Sequence, residues 1–112
     1  MKIDKDLMKG STTMLILNLL STSDMYGYQM VKELEKRSDN TFTLKEGTMY
    51  PILHSLESEG MVESYWDDGT SARKRKYYHI TNKGQKLLNE KKKEWEVYSS
   101  TVNKVIGGAC FE

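Results

Sequence analysis

Positions Met8, Thr12, Leu15, Ile16, Leu19 and Leu20 recur at spacings of three and four, which lines them along one helical face. Ser21, Thr22 and Ser23 interrupt that pattern, and Asp24 is placed to cap a second helix with Gly27, Met30, Val31 and Leu34 inward. The second helix is expected to close near Lys36 or Arg37, where positive charge suits the carbonyl end of the dipole. Ser38, Asp39 and Asn40 read as a loop and Thr41 to Lys45 as a short extended piece. A third helix is expected to open at Gly47 and Thr48, with Thr48 as N-cap, Pro51 in the first turn, and Met49, Ile52, Leu53 and Leu56 buried. Gly60 then supplies a left-handed stop.

After Gly60 the period changes. Met61 to Trp66 and Lys76 to Thr81 are rich in strand-forming residues and flank the turn cluster Asp67, Asp68, Gly69, Thr70 and Ser71, which predicts a β-hairpin. Tyr77 and Tyr78 alternate faces, so one packs and the other is exposed. Thr81 or Asn82 caps a last helix from about Lys83 to about Ile106, ended by Gly107 and Gly108. The fold class is therefore mainly α with a small β-hairpin, in the order helix, helix, helix, hairpin, long helix. That order describes a winged helix-turn-helix (residues 1–82) followed by a long C-terminal dimerisation helix (residues 83–112).

The length of 112 residues suits one domain, and 29% charged with 38% hydrophobic residues suits a globular chain. No apolar run approaches the roughly eighteen residues of a membrane span, and Met1 to Lys9 lacks the apolar core of a signal peptide, so a cytoplasmic location is expected. The single cysteine, Cys110, offers neither an intrachain disulfide nor a zinc pair, and it reads as an incidental thiol. His54 and His79 fall on different elements, so no metal site is expected. No nucleophile triad, phosphate-cradling glycine loop or HExxH motif is present, and no cofactor is expected, which argues against an enzyme.

The net charge of +1 is uninformative, but its distribution is not. Thr41 to Trp66 carries four acids and one base, whereas Asp67 to Lys93 carries nine bases and three acids. A basic hairpin beside a helix with exposed polar groups is the footprint of a surface that meets nucleic acid. The helix candidates are Lys45, Thr48, Tyr50, Pro51, His54 and Ser55. The hairpin candidates are Arg73, Lys74, Arg75 and Lys76, expected at the tip within reach of phosphates. Tyr26 and Tyr28 read as packing residues, and Lys91, Lys92 and Lys93 as a solvated helix face. Glu46, Glu57 and Glu59 pull the other way, since carboxylates repel phosphate; the alternative is a winged helix that binds a protein partner.

On the last helix Leu88, Trp95, Tyr98, Val102 and Val105 fall three or four apart when Lys91 is counted with them, a heptad seam suited to pairing with a second copy. Symmetric dimers match palindromic half-sites.

Several segments together resemble the PadR family of transcriptional regulators. They are Met25-Tyr26-Gly27-Tyr28-Gln29, Glu46-Gly47-Thr48-Met49-Tyr50-Pro51-Ile52-Leu53, Leu56-Glu57-Ser58-Glu59-Gly60-Met61, and Arg75-Lys76-Tyr77-Tyr78-His79-Ile80-Thr81 followed by Lys83-Gly84. The match runs from about Leu15 to Leu88, and the single final helix is similar to the short subfamily. The resemblance implies a homodimeric repressor of a palindromic operator, with Gly47, Thr48, Tyr50 and Pro51 opening the recognition helix. It further implies that Trp95, with Met8 as a neighbour, lines a site for a small lipophilic or aromatic effector. The residues leave open that Trp95 is simply dimer core.

Overall fold

The computed structural model describes Met1, residues 3–67 and residues 74–107. Arg73, Asp68 to Ser71, Gly108 and Cys110 lie outside the described residues, so the expectations placed on them stay at the level of sequence.

The apolar face expected from Met8 to Leu20 is divided between two helices, α1 (Lys5–Lys9) and α2 (Thr12–Thr22). The cause is local: the hydroxyls of Ser11 and Thr12 both donate to the Met8 carbonyl, at 3.0 and 3.1 Å, and compete with a continuous backbone ladder. Ile16, Leu17, Leu19 and Leu20 of α2 are buried at the centre of the core.

Asp24 does not cap the next helix. Met25–Tyr26 forms a two-residue strand, β1, and Tyr26 is the N-cap of α3 (Gly27–Arg37), its N–H reaching the Gln29 side-chain oxygen at 3.4 Å. Gly27, Met30 and Leu34 are buried as expected. After α3 the chain turns through two left-handed residues, Asp39 (φ 50°) and Asn40 (φ 63°). Asn40 N–H bonds the Glu35 carbonyl and Asp39 N–H that of Lys36, which closes the last turn without a glycine. Thr41 to Lys45 pairs with no strand, and Leu44 anchors it in the core.

The third helix of the expectation, α4 (Glu46–Ser58), starts earlier than Thr48. Lys45 is the N-cap and accepts from the N–H groups of Thr48 and Met49, so Thr48 lies inside the first turn and caps nothing. Pro51 is consequently the sixth helical residue, and the Gly47 carbonyl loses the donor it would have had there. Met49, Leu53 and Leu56 are buried, and Gly60 (φ +77°) ends the helix with Met61 N–H on the Leu56 carbonyl and Gly60 N–H on that of Glu57.

The hairpin consists of β2 (Val62–Asp67) and β3 (Arg75–Ile80), antiparallel from Val62 opposite Ile80 to Asp67 opposite Arg75. Strand β1 adds to the other edge of β3, which gives the sheet order β1-β3-β2. A two-residue strand is too short for the alternation that identifies strands in a sequence. Val62, Met25 and Tyr78 face the core and are nearly inaccessible. Tyr26, Tyr65 and Tyr77 share the other face, Tyr26 edge-on to Tyr77 at 5.4 Å and Tyr65 stacked on it at 5.7 Å.

The last helix, α5 (Asn82–Val105), is capped by Thr81, whose hydroxyl accepts from Gly84 N–H at 3.0 Å. Only its first part belongs to the protomer core: Leu88 is fully buried, while Trp95, Tyr98 and Val105 are exposed. The projecting helix makes the molecule long, with a radius of gyration of 16.1 Å against about 13 Å for a compact chain of this length. Among the described residues no helix is long and apolar enough to cross a membrane.

Candidate nucleic-acid interface

The α4 side chains sort by helical angle into three stripes. Met49, Leu53 and Leu56 point into the core. Glu46, Tyr50 and His54, four residues apart, line a cleft of about 490 Å³ between α4 and the hairpin. Thr48, Pro51 and Ser55 form a third stripe, exposed outside that cleft, with Lys45 exposed at the cap. The other wall of the cleft is Trp66, Arg75 and Lys76, with Tyr28 at the start of α3.

The structure therefore brings Tyr50, His54, Arg75 and Lys76 together and sets Lys45, Thr48, Pro51 and Ser55 on the adjoining surface. Of the four basic residues expected at the tip, two are drawn into the strand. Strand pairing runs out to Asp67 and Arg75, so Arg75 and Lys76 belong to the paired part of the hairpin, while Lys74 is exposed just before it. The Arg75 guanidinium lies 4.7 Å from the centre of the Tyr26 ring, and Lys76 Nζ lies 5.7 Å from that of Tyr78.

Tyr50 is half-buried. Burial and the neighbouring Glu46 carboxylate push its phenol up, and burial followed by Glu57 and Tyr50 does the same to Tyr78. Both stay neutral at neutral pH and can donate or accept hydrogen bonds. A Cβ on Gly27 would overlap the Tyr50 hydroxyl and approach its Cζ to 2.8 Å, so the missing side chain at 27 is what lets Tyr50 settle against α3. Of the acids that argued against DNA, Glu57 accepts a hydrogen bond from Ser64 and is turned onto the hairpin root, whereas Glu46 lines the cleft.

Behind the cleft, on the outer face of the sheet, Asp24 takes the role that replaces capping. The Tyr65 hydroxyl donates to it at 2.6 Å and His79 Nδ1 lies 2.8 Å from its other oxygen. Burial pulls the Asp24 carboxyl up, but the hydrogen bonds of Tyr65 and His79 and the charge of His79 outweigh it and leave it below its ordinary value. The same bond to Asp24, with burial and nearby carboxylates, pushes the Tyr65 phenol up to about 12. One carboxylate thus ties the turn before β1 to both strands of the hairpin.

Tyr28 and Trp66 line the cleft without having been anticipated, as does Tyr26. Tyr28, read from sequence as a packing residue, is 55% exposed. Trp66 is 64% exposed although strand alternation points it inward, on the same face as the buried Val62 and the half-buried Ser64. Met8 packs against the core of its own chain, and Trp95 stands exposed with Tyr98 6.1 Å away.

The geometry has close counterparts. The model of the Transcriptional regulator PadR-like family matches residues 16–90. A transcriptional regulator from Clostridium thermocellum superposes with a TM-score of 0.82 at 35% identity, covering 89% of this chain and 97% of that one. A PadR family transcriptional regulator from Eggerthella lenta gives 0.79 at 36% identity, covering 90% and 86%. The uncharacterized protein X of Lysinibacillus sphaericus is 38% identical over 93 residues, 83% of this chain and 85% of the relative.

Proposed function

The chain belongs to the PadR-like family of transcriptional regulators, a family of regulators and not of enzymes, and from that premise we propose that it acts as a homodimeric repressor of a palindromic operator. Residues 1–82 hold the DNA and residues 83–112 pair the copies. The observation that carries the DNA reading is the meeting of α4 and the basic hairpin across one cleft, with Tyr50, His54, Arg75 and Lys76 on its walls. Thr48, Pro51 and Ser55 meet base edges, and Lys45, Arg73 and Lys74 meet phosphates. Pairing is supported by the exposed apolar side chains of α5: Trp95 is 47%, Tyr98 61% and Val105 80% accessible, and Val102 is half-buried between them. Leu88 is consumed by the protomer's own core, so the seam open to a second copy begins at Lys91. The exposed indole of Trp95 supports an effector site at the pairing helix where, with Met8, a planar lipophilic ligand stacks and releases the DNA.

Fluorescence anisotropy tests the reading, with a duplex from upstream of the protein's own gene beside a scrambled duplex at two salt concentrations. Tighter binding to the native duplex that weakens with salt is expected. Equal and negligible binding to both, and to a genomic fragment pool, would refute it and favour a protein partner. Replacing Arg73, Lys74 and Arg75 with Ala should weaken binding to every sequence and flatten the salt dependence, by up to about 0.9 in slope for each phosphate that is no longer neutralised.

A further inference from the structure

The cleft contains a side chain that charge does not explain. Trp66 keeps 64% of its surface in solvent although it lies on the core-side face of β2, in line with the buried Val62 and the half-buried Ser64. It is carried past the edge of the core and left over the space between the hairpin and α4. Its partner across the ladder is Lys76, so the largest apolar surface and a cationic side chain stand side by side on the same wall. The opposite wall carries Tyr50 and His54, with Tyr28 at the end.

We infer that this cleft seats the sugar–phosphate backbone of one DNA strand, and that Trp66 holds it by packing its indole on the deoxyribose while Lys76 takes the flanking phosphate. The inference rests on the DNA reading above and adds to it a contact of different physical origin. A deoxynucleotide alternates an apolar ring with an anion, and the Trp66–Lys76 pair presents the complementary alternation. Glu46, also in the cleft, excludes the phosphate from its own end and so leaves the Lys76 side as the anionic seat. An indole on a sugar releases no counterions, so its contribution is independent of salt, whereas each lysine on a phosphate adds to the salt slope.

The test uses the full chain labelled with 5-fluorotryptophan. The two indoles give two fluorine resonances, and that of Trp66 is identified by its absence in Trp66→Phe. On addition of the upstream duplex the Trp66 resonance should shift and saturate together with the anisotropy of the DNA. Trp66→Ala should lose about tenfold in affinity for native and scrambled duplexes alike with an unchanged slope of log K against log salt, and Trp66→Phe should recover most of the loss. Lys76→Ala should instead lower the slope by about one. A bound duplex that leaves the Trp66 resonance in place, or full affinity in Trp66→Ala, would overturn the inference alone. A slope that falls in Trp66→Ala as it does in Lys76→Ala would overturn it too, because the hairpin charges would then have moved. No DNA binding by the parent chain would overturn the DNA reading and this inference with it.

Discussion

Replacing Gly84 with alanine would drive a Cβ into the Met61 carbonyl oxygen, with Ile80 Cγ1 at 2.8 Å and the Met61 carbonyl carbon at 3.0 Å. Two of these three atoms are backbone and cannot rotate away. The Met61 carbonyl is further held by Thr81, whose N–H donates to it at 3.1 Å and whose hydroxyl lies 3.0 Å from it. Overpacking against a fixed neighbour costs about 3 kcal/mol at the upper end of the usual range. Alanine returns at most the roughly 1 kcal/mol it gains over glycine in a helix interior, since Gly84 lies in the first turn of α5. The net expectation is a loss of about 2 kcal/mol, or a thermal midpoint lowered by about 10 °C. Gly47→Ala is the matched control: nothing lies within 4 Å of its Cβ, so the same chemical change should gain up to about 1 kcal/mol. Thermal and urea unfolding, followed by circular dichroism at one fixed protomer concentration, reads both. A Gly84→Ala protein as stable as the parent would refute the argument that close approach of α5 to Met61 requires a residue without a side chain.

Thr81→Ala removes a hydroxyl that accepts from Gly84 N–H and lies 2.7 Å from the Gly60 carbonyl; a loss of about 1–2 kcal/mol is expected in the same assay, and Thr81→Ser should restore most of it. The Tyr65 phenol is raised from 10.0 to about 12, so its bond to Asp24 stabilises fully below pH 10 and is lost as pH rises toward 12; Tyr65→Phe should flatten that alkaline limb of the thermal midpoint. Asp24 is lowered from 3.8, so its contribution is present above that value and is lost as pH falls through the depressed one; Asp24→Asn should remove this part of the acid limb. Tyr98→Asp places a charge among the exposed apolar side chains of α5; if the proposed pairing uses this seam, sedimentation should show a lower dimer fraction than the parent at equal concentration, and an unchanged fraction would exclude the seam.

Periodicity made the long elements readable. Met30 and Leu34 on α3, Met49, Leu53 and Leu56 on α4, and the change of period after Gly60 were enough to order the helices and the hairpin. The parts that escaped depend on contacts between distant segments. Asp24 looks like a cap because caps are local, yet its partners Tyr65 and His79 are 41 and 55 residues away. Strand β1 exists only because β3 is there to pair with it. The start of α4 at Glu46 follows from the Lys45 carbonyl taking two amide bonds, a choice of backbone over hydroxyl that residue preferences do not register. Tyr50, His54, Arg75 and Lys76 were named from the chain as candidates, but the cleft joining them, and the presence of Trp66 and Tyr28 in it, needed the third dimension.

The close seat of Gly84 has a mechanical side. Helix α5 has 24 residues and is therefore a rod of about 36 Å, fixed at its root by Gly84 and Leu88 and free beyond. A rod pinned at one end magnifies angle into distance. Tilting it by about 6° at the root carries its far end roughly 4 Å sideways, a little more than the rise of one base pair. If two copies pair along these rods, the separation of their α4 helices is set by that angle. A single carbon atom added at position 84 would then change not only how firmly the chain folds but which spacing between DNA half-sites the pair can span.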